Sequence, residues 1–180
     1  MHASVCDTIS DLVQNSIEAG ASRVDLDVYT GPDTISVRVT DNGKGMDQAT
    51  LAKAADPFYS ESGKHDHRRV GLGIPLLLQT AEAVNGKVDI RSVPGKGTAI
   101  EFKFDARHLD TPPLGDLPAT VLGLMTFSGT YDLILKRTTP ADGYSVSKAE
   151  LVETLGDLTE PANLILARDF LRSQEDNLKH

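Results

Sequence analysis

Three short stretches carry the groups that could do chemistry. Asp41-Asn42-Gly43-Lys44-Gly45-Met46 directly follows residues 34–40, in which Ile35, Val37 and Val39 alternate with Ser36, Arg38 and Thr40. That alternation reads as a half-buried strand. A carboxylate at the end of a strand, followed by two glycines that let a backbone approach closely, suits recognition of a flat polar molecule by its edge. Ionised Asp only accepts hydrogen bonds, so its natural partner is an amine, such as the exocyclic amine of adenine. The same hexapeptide also reads as a tight hairpin turn at Asn42-Gly43. Asp7, Asp11 and Asn15 recur every four residues, which puts Asp11 and Asn15 on one side of a helix, one turn apart. Taken alone, that is a solvated face. Gly71-Leu72-Gly73 stands at the head of an apolar helical pattern, where exposed backbone amides at the positive end of the dipole make an anion site whose usual occupant is phosphate.

These groups need elements to hold them. Over residues 4–19, Val5, Ile9, Leu12, Val13 and Ile17 fall on one helical face, and Gly20 stands where a C-terminal cap belongs. Residues 23–29 and 34–40 form a hairpin across Thr30-Gly31-Pro32-Asp33. Asp47 caps a short helix to about Ala55, which Asp56-Pro57 stops. Residues 60–69 hold no apolar side chain and carry Lys64, His65, His67, Arg68 and Arg69, so they read as a mobile loop. After Gly73, Ile74, Leu77, Leu78, Ala81 and Val84 keep one helical face until Asn85-Gly86. Two strands, 87–92 and 98–104, then pair across Pro94-Gly95-Lys96-Gly97. The succession predicts an α+β fold, an antiparallel-rich sheet with helices on one face.

After Asp105 the texture changes. Residues 109–115 include Pro112-Pro113 and read as a linker, so the chain divides into residues 1–108, the linker, and a small α+β unit over 116–180. In that unit a helix runs from Asp116 to about Phe127, two strands cover 131–137 and 144–146, Ser147 and Glu150 form a capping box for a helix to Leu155, and a last helix covers 160–176.

Composition narrows the classes further. The net charge is −8, and the isoelectric point near 5.0 argues against a nucleic-acid-coating protein, which needs clustered Lys and Arg. No apolar run approaches membrane-spanning length and no secretory leader is visible, so the expected location is the cytoplasm. The single Cys6 makes no internal disulfide and reads as a buried small hydrophobe. There is no Gly-x-x-x-x-Gly-Lys-Ser/Thr and no third glycine of a dinucleotide fingerprint, which excludes P-loop and Rossmann enzymes.

In order, the chain presents Asp11-x-x-x-Asn15 on a helix, Asp41-x-Gly43-x-Gly45, Gly71-x-Gly73 at a helix start, and Gly97-Thr98 entering a strand. This order resembles the ATPase superfamily of DNA gyrase, the heat-shock chaperone ATPases, histidine kinases and MutL mismatch-repair proteins, with its Bergerat ATP-binding fold, a two-layer α/β sandwich with a mixed, mostly antiparallel sheet. The resemblance covers residues 4–104. Asn15-Ser16-Ile17-Glu18-Ala19-Gly20-Ala21 looks most like the MutL form of the first box, whereas Asp56-Pro57-Phe58, Gly71-Leu72-Gly73-Ile74 and Pro94-Gly95-Lys96-Gly97-Thr98 look like histidine-kinase catalytic domains. Residues 112–116 and the tail after them resemble small stand-alone ATP-binding proteins of the histidine-kinase type.

The resemblance implies ATP and Mg2+ as cofactors. Asp41 takes the adenine amine, and Gly43, Gly45 and Met46 shape the adenine wall. Asn15 binds magnesium bridging the phosphates. Gly71, Leu72 and Gly73 hold phosphates beneath a lid over 60–69, with Lys64, Arg68 and Arg69 facing them, and Thr98 supports hydrogen bonding near Asp41. The polar face of the first helix then lines a pocket instead of meeting solvent. Asp11 stands where the hydrolysing branches usually carry a Glu general base, one methylene longer. No helical dimerisation domain precedes the first helix and His108 sits in a linker-like stretch, so self-contained autokinase activity is not expected.

Three readings follow from the resemblance. One is slow ATP hydrolysis or phosphotransfer to a separate protein in regulation or signalling, as anti-sigma-factor kinases of this superfamily do. The second is a nucleotide-dependent conformational switch, and the third a non-catalytic ATP sensor. The expected partners are ATP and a protein contacting the region after Leu114. A homodimer is compatible with the sequence.

Overall fold

The computed structural model describes residues 3–56 and 73–179. Its elements, in chain order, are α1 (Val5–Glu18), β1 (Arg23–Thr30), β2 (Thr34–Asp41), α2 (Gln48–Ala54), α3 (Gly73–Ala83), β3 (Lys87–Val93) and β4 (Gly97–Asp105). There follow α4 (Leu117–Met125), β5 (Asp132–Thr138), β6 (Gly143–Ser147), α5 (Lys148–Leu155) and α6 (Pro161–Asp176). The six strands form one sheet in the order β3-β4-β2-β1-β5-β6. All neighbours are antiparallel except β1 and β5. The fold is α+β, a two-layer α/β sandwich with a mixed, mostly antiparallel sheet, as the resemblance to the Bergerat ATP-binding fold implies.

Period-two patterning decides which face the helices cover. Val24, Leu26 and Val28 of β1, Val37 and Val39 of β2, Phe102 and Phe104 of β4, and Leu133 and Leu135 of β5 are all buried. They meet Val5, Ile9, Leu12 and Val13 of α1, together with Leu77 of α3 and Val121 of α4, in a single core. Each such side chain contributes about 1.5–3 kcal/mol of transfer free energy. The opposite face carries Asp25, Asp27, Arg38, Asp89, Arg91 and Lys103, none of them buried. Its charges are paired among themselves, Arg38 with Glu101 and Arg91 with Asp89.

Short-range signals set the helix ends. Ser4 and Asp7 close a reciprocal capping box at the start of α1, and Ser147 and Glu150 do the same for α5. Asp7 thus belongs to the cap. At the far end of α1, Gly20 takes φ 77°, the left-handed conformation that favours glycine.

Residues 116–179, which the sequence sets apart behind a linker, supply β5 and β6 to the same sheet and α4 and α6 to the same core. β5 lies parallel to β1, with Arg23 opposite Asp132 and Leu26 opposite Leu135. β4 runs in the same direction as β5, so the connection between them must cross over, and α4 lies in it.

A buried ion pair ties the end of α6 to this added edge. Arg137 on β5 is only 1% exposed, and its guanidinium donates to Glu175 of α6 at 3.1 Å, to Thr30 Oγ1 at 2.9 Å and to the Thr138 carbonyl at 3.0 Å. Tyr144 donates to the same carboxylate at 2.9 Å, and burial first, then the Glu175 charge, pushes its hydroxyl pKa above the ordinary value. Glu175→Ala strands a buried cation, and a loss of about 3 kcal/mol is expected. Arg137→Met is expected to cost less, because Glu175 is 22% exposed and can be hydrated. Urea midpoints of the two variants check the asymmetry.

Candidate functional site

The Asp41 carboxylate stands at the end of β2 and is already partly engaged. Its Oδ1 accepts the Gly43 amide at 2.8 Å and the Thr98 amide at 3.2 Å, and its Oδ2 accepts the Ser16 hydroxyl at 2.7 Å. A carboxylate has about four acceptor positions. Three donors therefore leave one position on Oδ2, held in direction by the other three bonds. Ser16 Oγ also lies 3.2 Å from the Leu12 carbonyl, but a hydroxyl has one proton and the shorter, charge-assisted contact takes it.

Two glycines clamp the loop after Asp41 to the β3–β4 turn. Gly45 has φ 62°, and a Cβ there would stand 2.0 Å from the Val93 carbonyl oxygen. Gly97 has φ 101°, and a Cβ there would stand 1.9 Å from the Asp41 carbonyl oxygen. Both positions exclude a side chain on two independent grounds. The Lys44 amide donates to Ala19 at the end of α1, and the Lys44 carbonyl accepts from Gly95 in the turn. Asn42 faces away, its Oδ1 accepting the Ser22 and Arg23 amides. The hairpin alternative for Asn42-Gly43 is not realised, because β2 leads through this loop to α2. Asp47 caps α2, and the Thr50 amide first among its partners holds that carboxyl below the usual range.

The other predicted groups meet across α1 and α3. A Cβ on Gly73, the first residue of α3, would stand 3.0 Å from Asp11 Cβ, 3.5 Å from Asn15 Nδ2 and 3.7 Å from Asp11 Oδ2. A Cβ there would be a tight fit, to which Asp11 must yield by a few tenths of an ångström. Asp11 is half-buried beside the start of α3, while Asn15, one turn on, remains exposed. Ser16, the next residue along α1, reaches Asp41, so one helix joins the two halves.

Of the residues expected here, Asp11, Asn15 and Gly73 form one cluster, and Asp41, Gly43 and Thr98 another. Met46 and Gly45 hold the connecting loop. Thr98 acts on Asp41 through its amide, while its hydroxyl lies 2.9 Å from Ser92 Oγ. Lys64, Arg68, Arg69, Gly71 and Leu72, and the lid over 60–69, lie outside the described residues. Ser16 and Ser92 were not legible as site residues. Ser16 falls within the apolar stripe of α1 four residues after Leu12, and a buried serine in such a stripe is a signal. Ser92 accepts the Met46 amide at 2.8 Å, and nothing local in its strand marks it.

A family model described as the histidine kinase-, DNA gyrase B- and HSP90-like ATPase matches residues 3–108. The chain is 33% identical over 100 residues to the sensor histidine kinase YxdK of Bacillus subtilis, covering 53% of this chain and 31% of that protein. It is 38% identical over 93 residues to the sensor protein kinase FleS of Pseudomonas aeruginosa, covering 51% of this chain and 22% of that protein. It therefore spans less than a third of the length of these relatives. The crystal structure of the N-terminal domain of a DNA repair protein superposes with a TM-score of 0.51 at 14% identity, over 81% of this chain and 52% of that one, a likeness of fold. Since the family match runs unbroken from the cap of α1 past the end of β4, and so takes in both halves of the site, this chain belongs to the histidine kinase-, DNA gyrase B- and HSP90-like ATPases.

Proposed function

We propose that this chain binds Mg-ATP between α1, α3 and the Asp41 loop, and cleaves or transfers its terminal phosphoryl group slowly, with a separate protein as acceptor or regulator. The observation that carries this reading is the carboxylate of Asp41, fixed by three donors with one acceptor position left open. Adenine offers an amine there, whereas guanine offers an acceptor oxygen, so the reading includes preference for ATP over GTP. The groups present fit the cofactor. No three His, Cys, Asp or Glu side chains among the described residues converge as a metal cage. Magnesium is commonly held by one or two protein oxygens together with the nucleotide's phosphates, and Asn15 supplies such an oxygen.

Bound Mg-ATP supplies the phosphoanhydride and the cation that offsets phosphate charge. Asp41 orients the base, and Asn15 stands one turn from Asp11 on α1, its Nδ2 3.5 Å from where a Cβ on Gly73 would stand. Among the described residues Asp11 supplies a carboxylate beside it to accept or direct a proton, from water in hydrolysis or from an acceptor in transfer. An acceptor on another protein is supported by the position of His108, the one histidine among the described residues, which follows β4 at the end away from Thr98. That nine-residue strand spans about 25 Å. Among the described residues no helix is long and apolar enough to cross a membrane.

Purified chain with γ-labelled ATP tests the reading. Slow phosphate release and no stable label on the chain are expected. Stable labelling of a histidine in the chain itself overturns the in-trans part, and absence of calorimetric ATP binding overturns the whole.

A further inference from the structure

We propose that residues 111–115 act as a strap coupling the C-terminal helices to the nucleotide site through the start of α1. The proposal rests on the nucleotide reading above and adds its regulation. A helix start leaves four amides without intrahelical partners. Here the Val5 amide donates to the Pro113 carbonyl at 2.8 Å and the Cys6 amide to the Leu114 carbonyl at 2.9 Å, while Ser4 Oγ takes the Asp7 amide at 3.2 Å. Two of the four are therefore closed by chain that arrives after the whole of β4. Gly115 lies flat against the same turn, with φ 90°, and a Cβ there would stand 3.0 Å from Ser4 Cβ and 3.1 Å from Cys6 Cβ.

The strap runs straight into the C-terminal helices. Asp116 caps α4 through the Ala119 amide at 3.0 Å and lies 3.5 Å from Arg172 of α6. α4 packs on both α1 and α6. At the other end of this train, Asp11 stands about 9 Å and Asn15 about 15 Å along α1 from Val5. There α1 packs against Gly73, where an added Cβ would stand 3.0 Å from Asp11 Cβ. A helix of this length moves as a rod, so lifting the strap displaces Asp11 and Asn15 against α3. A nucleotide that requires α1 to be seated, and a protein that grips α4 and α6, then act on one equilibrium.

Cys6, the chain's single cysteine, reports that equilibrium directly. It is 4% exposed beneath the strap, and burial pushes its thiol up to about 11, so labelling at neutral pH requires opening. In the full chain, a saturating Mg-bound non-hydrolysable ATP analogue is expected to slow Cys6 labelling about fivefold or more. Hydrogen exchange at the Val5 and Cys6 amides should slow with it, while the Gly156 amide at the end of α5 stays unchanged. Gly115→Ala, strained by its positive φ, should speed labelling of the free chain, and the saturating analogue should bring the rate back down. If that variant does not fold, the two wild-type measurements decide. Calorimetric binding of the analogue with unchanged Cys6 labelling and unchanged exchange at Val5 and Cys6 overturns the strap alone. No binding to the wild type overturns the nucleotide reading, and the strap with it.

Discussion

Asp11→Asn is expected to abolish ATP turnover while leaving ATP affinity within a few-fold of wild type. The side chain keeps its size, so the packing of Asp11 beside Gly73, where an added Cβ would stand 3.0 Å from Asp11 Cβ, is undisturbed. What it loses is the charge and the ability to take a proton. A group that works as a base stabilises the transition state more than the bound ground state, so the loss falls on kcat. Phosphate release at saturating ATP, beside calorimetry on the same sample, separates the two. Wild-type turnover in the variant would make Asp11 a packing residue and bring the sensor reading forward.

Asp41→Asn is expected to weaken ATP roughly tenfold or more. Its Oδ1 has two amide donors from Gly43 and Thr98, so an Asn would keep its oxygen there and turn its amino group toward Ser16 and the base. An amino group facing the adenine amine sets donor against donor. Losing a charge-assisted hydrogen bond costs about 1.5–3 kcal/mol, or roughly tenfold or more in affinity. Ser16 can turn its proton to the Leu12 carbonyl at 3.2 Å, so the fold should survive. Calorimetry reads the affinity, and a variant that binds ATP as well as the wild type removes Asp41 from the base pocket.

The elements of the fold and the order of its motifs follow from local patterns in the chain. Alternation in Val24-Leu26-Val28 and Ile35-Val37-Val39, the four-residue recurrence in α1, and the caps at Ser4, Asp47 and Ser147 act over a few residues. Backbone geometry then leaves little choice of local structure. Asp11, Asn15 and Asp41 sit at fixed offsets within single elements, but periodicity alone made the first two a solvated face, and their roles as site residues came from the family resemblance.

Only the tertiary structure decided what those groups touch. Nothing near Ser16 says that its hydroxyl meets a carboxylate 25 residues on, and nothing near Ser92 says that it takes the Met46 amide. Gly45 reads as a glycine for close approach to a ligand, yet its close approach is to the Val93 backbone, and Gly97, which reads as part of a turn, approaches the backbone of Asp41. The linker-like composition of 109–115 gave no hint that Pro113 and Leu114 would close the first amides of α1. Nor did it show that β5 would lie beside β1. Those outcomes depend on which surfaces can be buried together once all elements exist, a question of long-range packing that no local period encodes.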